Sequence, residues 1–230
     1  MLRKLTCISF ISIALLLSQS ACHRTEKVVG NGNKQTVVRN VEAFQNISLT
    51  GNYDVALVGN MPQHVALTTD SNVLNYLTTT VKNGTLEIAV QPNVNISSKE
   101  APFVQINVPQ LQNISIAGSG RINASKISAN LLRIHIAGSG HFVVSGTANK
   151  VTIDTSGSSV VNAGDLLAKQ ADINLTGSGR VSIHANEQLN VKVSGTGLVE
   201  YYGSPSKVTQ DITGTGRIIG ISSNAQESSS

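Results

Sequence analysis

What the chain has little of sets the first limits. Charged residues make up 13% of its 230 residues, about half the usual share. Its fold must therefore rest on packing and backbone pairing rather than on ion pairs. The formal net charge is only +4, and two of the positive charges, Arg3 and Lys4, lie in an N-terminal leader. That bias is too weak to point to nucleic acid. Aromatic residues are 3% and tryptophan is absent, so a core drawn from the 40% apolar residues must be aliphatic. There are two cysteines, Cys7 and Cys22, both near the N-terminus. Once the leader that holds Cys7 is removed, no internal disulfide can form, and the fold must stand without one.

That leader has three parts. Arg3 and Lys4 are a short positive region, Leu5 to Leu17 an apolar stretch, and Ser18-Gln19-Ser20-Ala21-Cys22 a run of small residues ending in a cysteine. The apolar stretch is too short to span a bilayer, so residues 1–21 read as a secretory signal peptide. Cys22 resembles the lipidated cysteine of bacterial lipoproteins, although Gln19 stands where that motif normally has Leu. The alternative is ordinary cleavage after Ser20 or Ala21. Lipidation would anchor the chain stably, because a processed lipoprotein carries several acyl chains. The expected location is the cell envelope, as an outer-membrane lipoprotein, otherwise periplasmic or secreted. Residues 22–36 read as a flexible tether and 221–230 as a disordered tail.

The dominant signal is an internal repeat. Gly-Ser/Thr-Gly recurs at Gly118-Ser119-Gly120, Gly138-Ser139-Gly140, Gly177-Ser178-Gly179, Gly195-Thr196-Gly197 and Gly214-Thr215-Gly216, with Gly157-Ser158-Ser159 as a decayed copy. The first glycines are 20, 19, 20, 18 and 19 residues apart. Aligned on them, the position four before holds Ile114, Ile134, Ile153, Ile173, Val191 and Gln210, and the position two before holds Ile116, Ile136, Thr155, Leu175, Val193 and Ile212. Between these columns stand polar residues such as His135, Asp154, Asn174, Lys192 and Asp211. Such period-2 alternation predicts one strand with a single buried face per copy. A constant period with matching columns predicts that copies stack on one another, closing a core that no single copy could bury. The fold class that follows is all-β: a right-handed parallel β-helix, or β-solenoid, with turns of about 19 residues. Each triplet is expected to make a corner, where Gly tolerates positive φ.

Residues 111–220 carry the regular turns, and 37–110 fit less regularly and are expected to cap one end. Val41 to Phe44, Ile47 to Gly51, Val55 to Val58, Val65 to Thr68, Leu86 to Val90 and Val104 to Val108 read as strands. Asp70-Ser71-Asn72 could cap a short helix through Leu77, and Asn83-Gly84 marks a hairpin.

Several of these residues resemble a known family, the bacterial putative autotransporter adhesins with a head GIN domain. The resemblance covers about residues 37–220. It rests on Arg39 to Phe44 with Ile47 to Gly51, Asn83-Gly84-Thr85-Leu86-Glu87-Ile88, Pro109-Gln110-Leu111 before Ile114, the Gly-Ser-Gly series, and Tyr202-Gly203-Ser204-Pro205. It implies a parallel β-helix outside the inner membrane and no established catalytic residues. The chain shows neither a heptad stalk nor a membrane-barrel segment.

Chemistry is sparse. A dinucleotide fingerprint needs a third Gly three residues on, where this chain has Asn123, Val143, Ser182, Glu200 and Ile219. A calcium-binding β-roll needs Asp two residues after the second Gly, where Ile122, Phe142, Val181, Val199 and Ile218 stand. A Ser or Thr repeated in every copy is a corner residue rather than a nucleophile, which needs a base in reach. Asp154 and Asp172 fall on neighbouring copies of one outward face, with His135 below Asp154 and Arg133 nearby. They are the one constellation that a polysaccharide-active enzyme could use, against a simpler reading as charges paired across strands. His135 and His141 read as surface histidines, so no metal site and no cofactor is expected. Directly after the triplets stand Arg121, His141, Val160, Arg180, Leu198 and Arg217. This column could contact anionic glycans or lipid head groups, or merely protect an edge. Composition and spacing together favour a non-catalytic interaction module whose partner is a surface glycan or protein. The alternatives are a polysaccharide-active enzyme and a structural protein that self-associates into a homo-oligomer.

Overall fold

The computed structural model describes residues 25–221 of the chain. Its strands are β1 (Glu26–Val29), β2 (Lys34–Val38), β3 (Asn46–Gly59), β4 (His64–Asp70), β5 (Leu77–Lys82), β6 (Thr85–Val90), β7 (Val94–Ser97) and β8 (Phe103–Val108). Then come β9 (Asn113–Gly138), β10 (His141–Gly157), β11 (Val160–Gly177), β12 (Arg180–Gly195), β13 (Leu198–Tyr202), β14 (Lys207–Gly214) and β15 (Arg217–Gly220). The fold is all-β, and no α-helix occurs among the described residues.

The repeat governs the pairing. β9, β10, β11 and β12 lie side by side and parallel, so Ile134 pairs with Ile153, Ile153 with Ile173, and Ile173 with Val191. All four are buried, as are Leu132, Val151, Ala171 and Leu189 two residues before them. β-branched and aliphatic residues recur at alternate positions, and those alternate side chains fill one continuous core. Each such contact is between equivalent residues of successive copies. Cutting one down therefore opens a gap that its neighbours above and below both line.

β3 behaves as a further copy. Ile47 pairs with Ile114, Leu49 with Ile116 and Val55 with Ile122, and Gly51-Asn52-Tyr53 lies against the triplet Gly118-Ser119-Gly120. That pairing carries β9 unbroken through its own triplet. Beyond β3 the parallel order gives way. β8 is parallel to the second half of β3, then β4 and β2 add antiparallel strands. β6 is parallel to the first half of β3, and β5 folds back on β6. The turn between them is Asn83-Gly84, with φ of 51° and 70°, the backbone a tight hairpin demands.

Three local expectations give way. Residues 22–36, read as a tether, contain two strands among the described positions: β1 pairs with β7 and β2 with β4. The segment between them is tied down, because the Asn72 side chain donates to the Val29 carbonyl and accepts from the Asn31 N–H. With Asn72 so engaged, Asp70 to Asn72 cap no α-helix; only a 3-10 turn forms at Leu74–Tyr76, without a side-chain cap. Val41 to Phe44 is not a strand, because Gln63 acts as its partner, donating to the Val41 and Glu42 carbonyls and accepting from the Phe44 N–H. Phe44 is nonetheless buried. The leader and Cys22, and the tail from residue 222, lie outside the described residues.

Candidate functional site

Register decides which outward residues meet. Residues that directly follow a triplet form one continuous column: Arg121 pairs with His141, His141 with Val160, Val160 with Arg180, Arg180 with Leu198, and Leu198 with Arg217. Arg121, His141, Arg180 and Arg217 are all exposed. The arginines never pair with one another. Spacers of His, Val and Leu hold them two or three strands apart, roughly 10–15 Å at the usual strand spacing. Arg121 lies 3.6 Å from Asp54. Arg180 and Arg217 have no carboxylate within ion-pair distance among the described residues.

The carboxylates occupy two other columns. Asp154 pairs with His135 on one side and Asn174 on the other, while Asp172 pairs with Thr152 and Asn190. Each carboxylate is held by the Asn above it: Asn174 Nδ2 donates to Asp154 Oδ1 at 2.6 Å and Asn190 Nδ2 to Asp172 Oδ1 at 2.6 Å. Lys150 Nζ reaches Asp172 Oδ2 at 2.6 Å. Partial burial pushes the Asp172 carboxyl upward, but the hydrogen bonds from Lys150 and Asn190 and the Lys150 charge outweigh it and leave the group below the ordinary carboxylate range. A general acid needs the opposite shift. This surface behaves as side-chain ladders across strands, like Asn130–Asn149 and Ser178–Thr196 elsewhere. No group of three metal-ligating side chains occurs among the described residues.

The triplet glycines serve geometry. Gly118, Gly138, Gly157, Gly177, Gly195 and Gly214 all have positive φ; of the second glycines only Gly120 does, and Gly140, Gly179, Gly197 and Gly216 do not. The latter face close backbone instead: a Cβ on Gly140 would lie 2.8 Å from the Gly120 carbonyl oxygen.

A feature that the repeat pattern does not announce lies where it is interrupted. β11 carries an insertion against β12, so pairing jumps from Ala163–Ile183 to Leu167–His184. The extra residues, with Tyr202 and the turn after it, frame an open groove of about 820 Å³. Its polar walls include Asn162, Asp165 and His184, and Tyr201, Tyr202 and Ser204 also line it. Tyr202 pairs with His184 across the strands, and its ring lies against Gly164, where a Cβ would sit 3.2 Å from Cε2. Asn162 is held in place by accepting from the Ser182 hydroxyl at 3.0 Å and the Gly164 N–H at 3.2 Å. His184 Nε2 lies 3.1 Å from Asn186 Oδ1. Two adjacent tyrosines in a chain so poor in aromatics were the available sequence signal, beside Asp165 in the off-register insertion. Arg180, Ser182 and His184 alternate along one strand, so the groove and the arginine column share a face, roughly 13 Å apart.

Residues 43–205 match the family model described as "Putative auto-transporter adhesin, head GIN domain". No curated protein matches the chain in sequence. Among solved structures, a putative adhesin from Bacteroides fragilis superposes with a TM-score of 0.69 at 18% identity, covering 84% of this chain and 100% of its own. A putative lipid binding protein from Parabacteroides distasonis gives 0.50 at 22% identity, covering 85% and 100%. A putative adhesin from Parabacteroides merdae gives 0.50 at 16%, covering 85% and 99%. At these identities the likeness is one of fold.

Proposed function

We propose that this chain, which belongs to the putative auto-transporter adhesin family with a head GIN domain, is a non-catalytic, glycan-binding module of the bacterial cell envelope. Its regular half coils as a right-handed parallel β-helix with turns of about 19 residues, the hand favoured for parallel crossovers. Residues 1–21 direct export, and Cys22 is the lipid attachment site that holds the module at the outer membrane. No helix among the described residues is long and apolar enough to cross a membrane.

The observation that carries the reading is the Tyr202 groove. A pyranose ring presents an apolar face that an aromatic side chain covers and a rim of hydroxyls that fixed amides, carboxylates and imidazoles bind. Tyr202 supplies the first; Asn162, Asp165 and His184 supply the second. The groove volume falls in the range of small-molecule sites, and its open form suits a chain rather than a single sugar. Arg180 and Arg217, on the same face, would meet acidic groups further along that chain. The residues read as a carboxylate pair for hydrolysis do not support catalysis, because Asp154 is held by Asn174, and Asp172 by Asn190 and Lys150.

The test is glycan-array binding by the whole chain, with Tyr202→Ala and the Arg121/Arg180/Arg217→Ala triple variant alongside. Tyr202→Ala should weaken binding at least tenfold to every glycan that binds. The triple variant should weaken binding to acidic glycans only and flatten their salt dependence. Absence of binding to any glycan, or binding that both variants retain in full, would overturn the assignment.

A further inference from the structure

Among the described residues, nothing stacks on the last copy of the repeat. β14 pairs with β12 on one side only, and all its residues are exposed, whereas equivalent stretches of β10, β11 and β12 bury every second one. Its inward columns hold Val208, Gln210 and Ile212, with Val208 37% and Ile212 43% exposed. The Thr215 N–H donates to the Gly195 carbonyl. Because backbone groups alternate in direction along a strand, the odd-numbered residues of β14 are turned toward β12. The N–H and C=O groups of Val208, Gln210 and Ile212 are therefore turned to the open edge, an unprotected pairing template.

We propose that this edge pairs with the same edge of a second copy of the chain, antiparallel, about a two-fold axis at Gln210. In that register Val208 stands opposite Ile212 of the second copy and Ile212 opposite its Val208, so the apolar columns of the two copies join. Gln210 faces its own equivalent, and each primary amide offers both a donor and an acceptor to the other. On the outer face Lys207 meets Thr213 and Asp211 meets Thr209, so no like charges stand directly opposed. A slip of two residues either way sets the Gln210 amide against Val208 or Ile212 and buries it without a partner. Residues 222–230, Ser-Ser-Asn-Ala-Gln-Glu-Ser-Ser-Ser, offer one small apolar side chain, Ala225, against the two larger ones, Val208 and Ile212, that a second copy brings. The far end of the sheet closes with β2, an antiparallel strand that begins with exposed Lys34, Gln35 and Thr36. Its one large exposed apolar side chain, Val38 at the strand's last position, does not match the spaced pair Val208 and Ile212, so the contact is isologous and stops at two copies rather than running on as a fibre.

Cysteine cross-linking of the whole chain, purified in mild detergent, tests the register. Gln210→Cys should oxidise to a reducible dimer well beyond the background of the unsubstituted chain, because directly hydrogen-bonded residues sit about 5.5 Å apart, within disulfide reach. Val208→Cys and Ile212→Cys should cross-link efficiently only when mixed. Ile212→Lys, at an exposed position, should keep the circular dichroism of the parent yet sediment as a monomer where the parent is a dimer. A parent chain that stays monomeric at its highest soluble concentration overturns the proposal. So does Val208→Cys that cross-links alone as well as in the mixture. A chain that dimerises only after residues 222–230 are deleted overturns it too, and identifies its own tail as the occupant.

Discussion

The hydroxyls of Thr155 and Ser159 hydrogen-bond to each other inside a largely aliphatic core. Both positions depart from the repeat at once. Thr155 stands where other copies have Ile, Leu or Val, and Ser159 where they have Gly. Those larger side chains lie over the second glycine: a Cβ on Gly179 would come within 3.1 Å of Leu175 Cδ1. The shorter Thr leaves room for the Ser side chain, and each hydroxyl satisfies the other.

The two substitutions should therefore be coupled. Thr155→Val strands the Ser159 hydroxyl and should cost about 1–3 kcal/mol in urea unfolding. Thr155→Leu combined with Ser159→Gly rebuilds the pattern of the copy above, and should return stability to within about 1 kcal/mol of the parent. Additive losses in the double variant would show that the pair is incidental.

Ile153 tests the stacked core itself. It is fully buried between Ile134 and Ile173, neither of which can move without disturbing the next copy. Ile153→Ala should cost about 2–5 kcal/mol, read as a lower denaturation midpoint with unchanged slope. A cost below about 1 kcal/mol would mean that the stack relaxes around the gap.

Gly138 and Gly140 separate two reasons for glycine. Gly138 has φ 137°, and a Cβ there would lie 2.1 Å from the Gly118 carbonyl oxygen. Gly140 has no such φ and a looser approach of 2.8 Å. Gly138→Ala should destabilise by more than about 3 kcal/mol, and Gly140→Ala by less. Thermal melts that rank them the other way would shift the burden from backbone conformation to packing.

The regular half was legible because one rule, stacking at a fixed period, acts on every copy. Ile134, Ile153 and Ile173 are buried wherever their column is read. The irregular half follows individual side chains. Gln63 stands in for strand pairing at Val41 to Phe44, and Asn72 ties down residues 29–31; neither contact has a periodic trace. β3 shows the boundary between the two cases. Its apolar alternation was visible, but its place in the triplet column was hidden because Tyr53 stands where a glycine was sought. The groove escaped for a related reason: it is built by an insertion, and aligning copies on their glycines passes over residues that fall out of register. Polar ladders obey the same period as the core: Asp154 and Asn174 share a column, as do Asp172 and Asn190, whereas Lys150 reaches Asp172 diagonally from the neighbouring strand, a contact that the columns do not show.

Tyr53 carries the last prediction. It is buried, and its hydroxyl has no hydrogen-bond partner among the described residues. Burial pushes its ionisation from 10.0 up to about 12. The folded state thus holds the phenolic proton more tightly than the unfolded chain does. Stability from this group is intact below pH 10 and falls as pH rises from about 10 to about 12, by about 2–3 kcal/mol in all. Tyr53→Phe removes both the titration and an unpaired polar group. It should match or exceed the parent by about 1 kcal/mol at neutral pH, and its advantage should widen with alkaline pH. Melting curves at pH 8 and pH 11 decide it: parallel losses in parent and variant would mean that the hydroxyl finds a partner, and that the core around Gly51 is wetter than this packing allows.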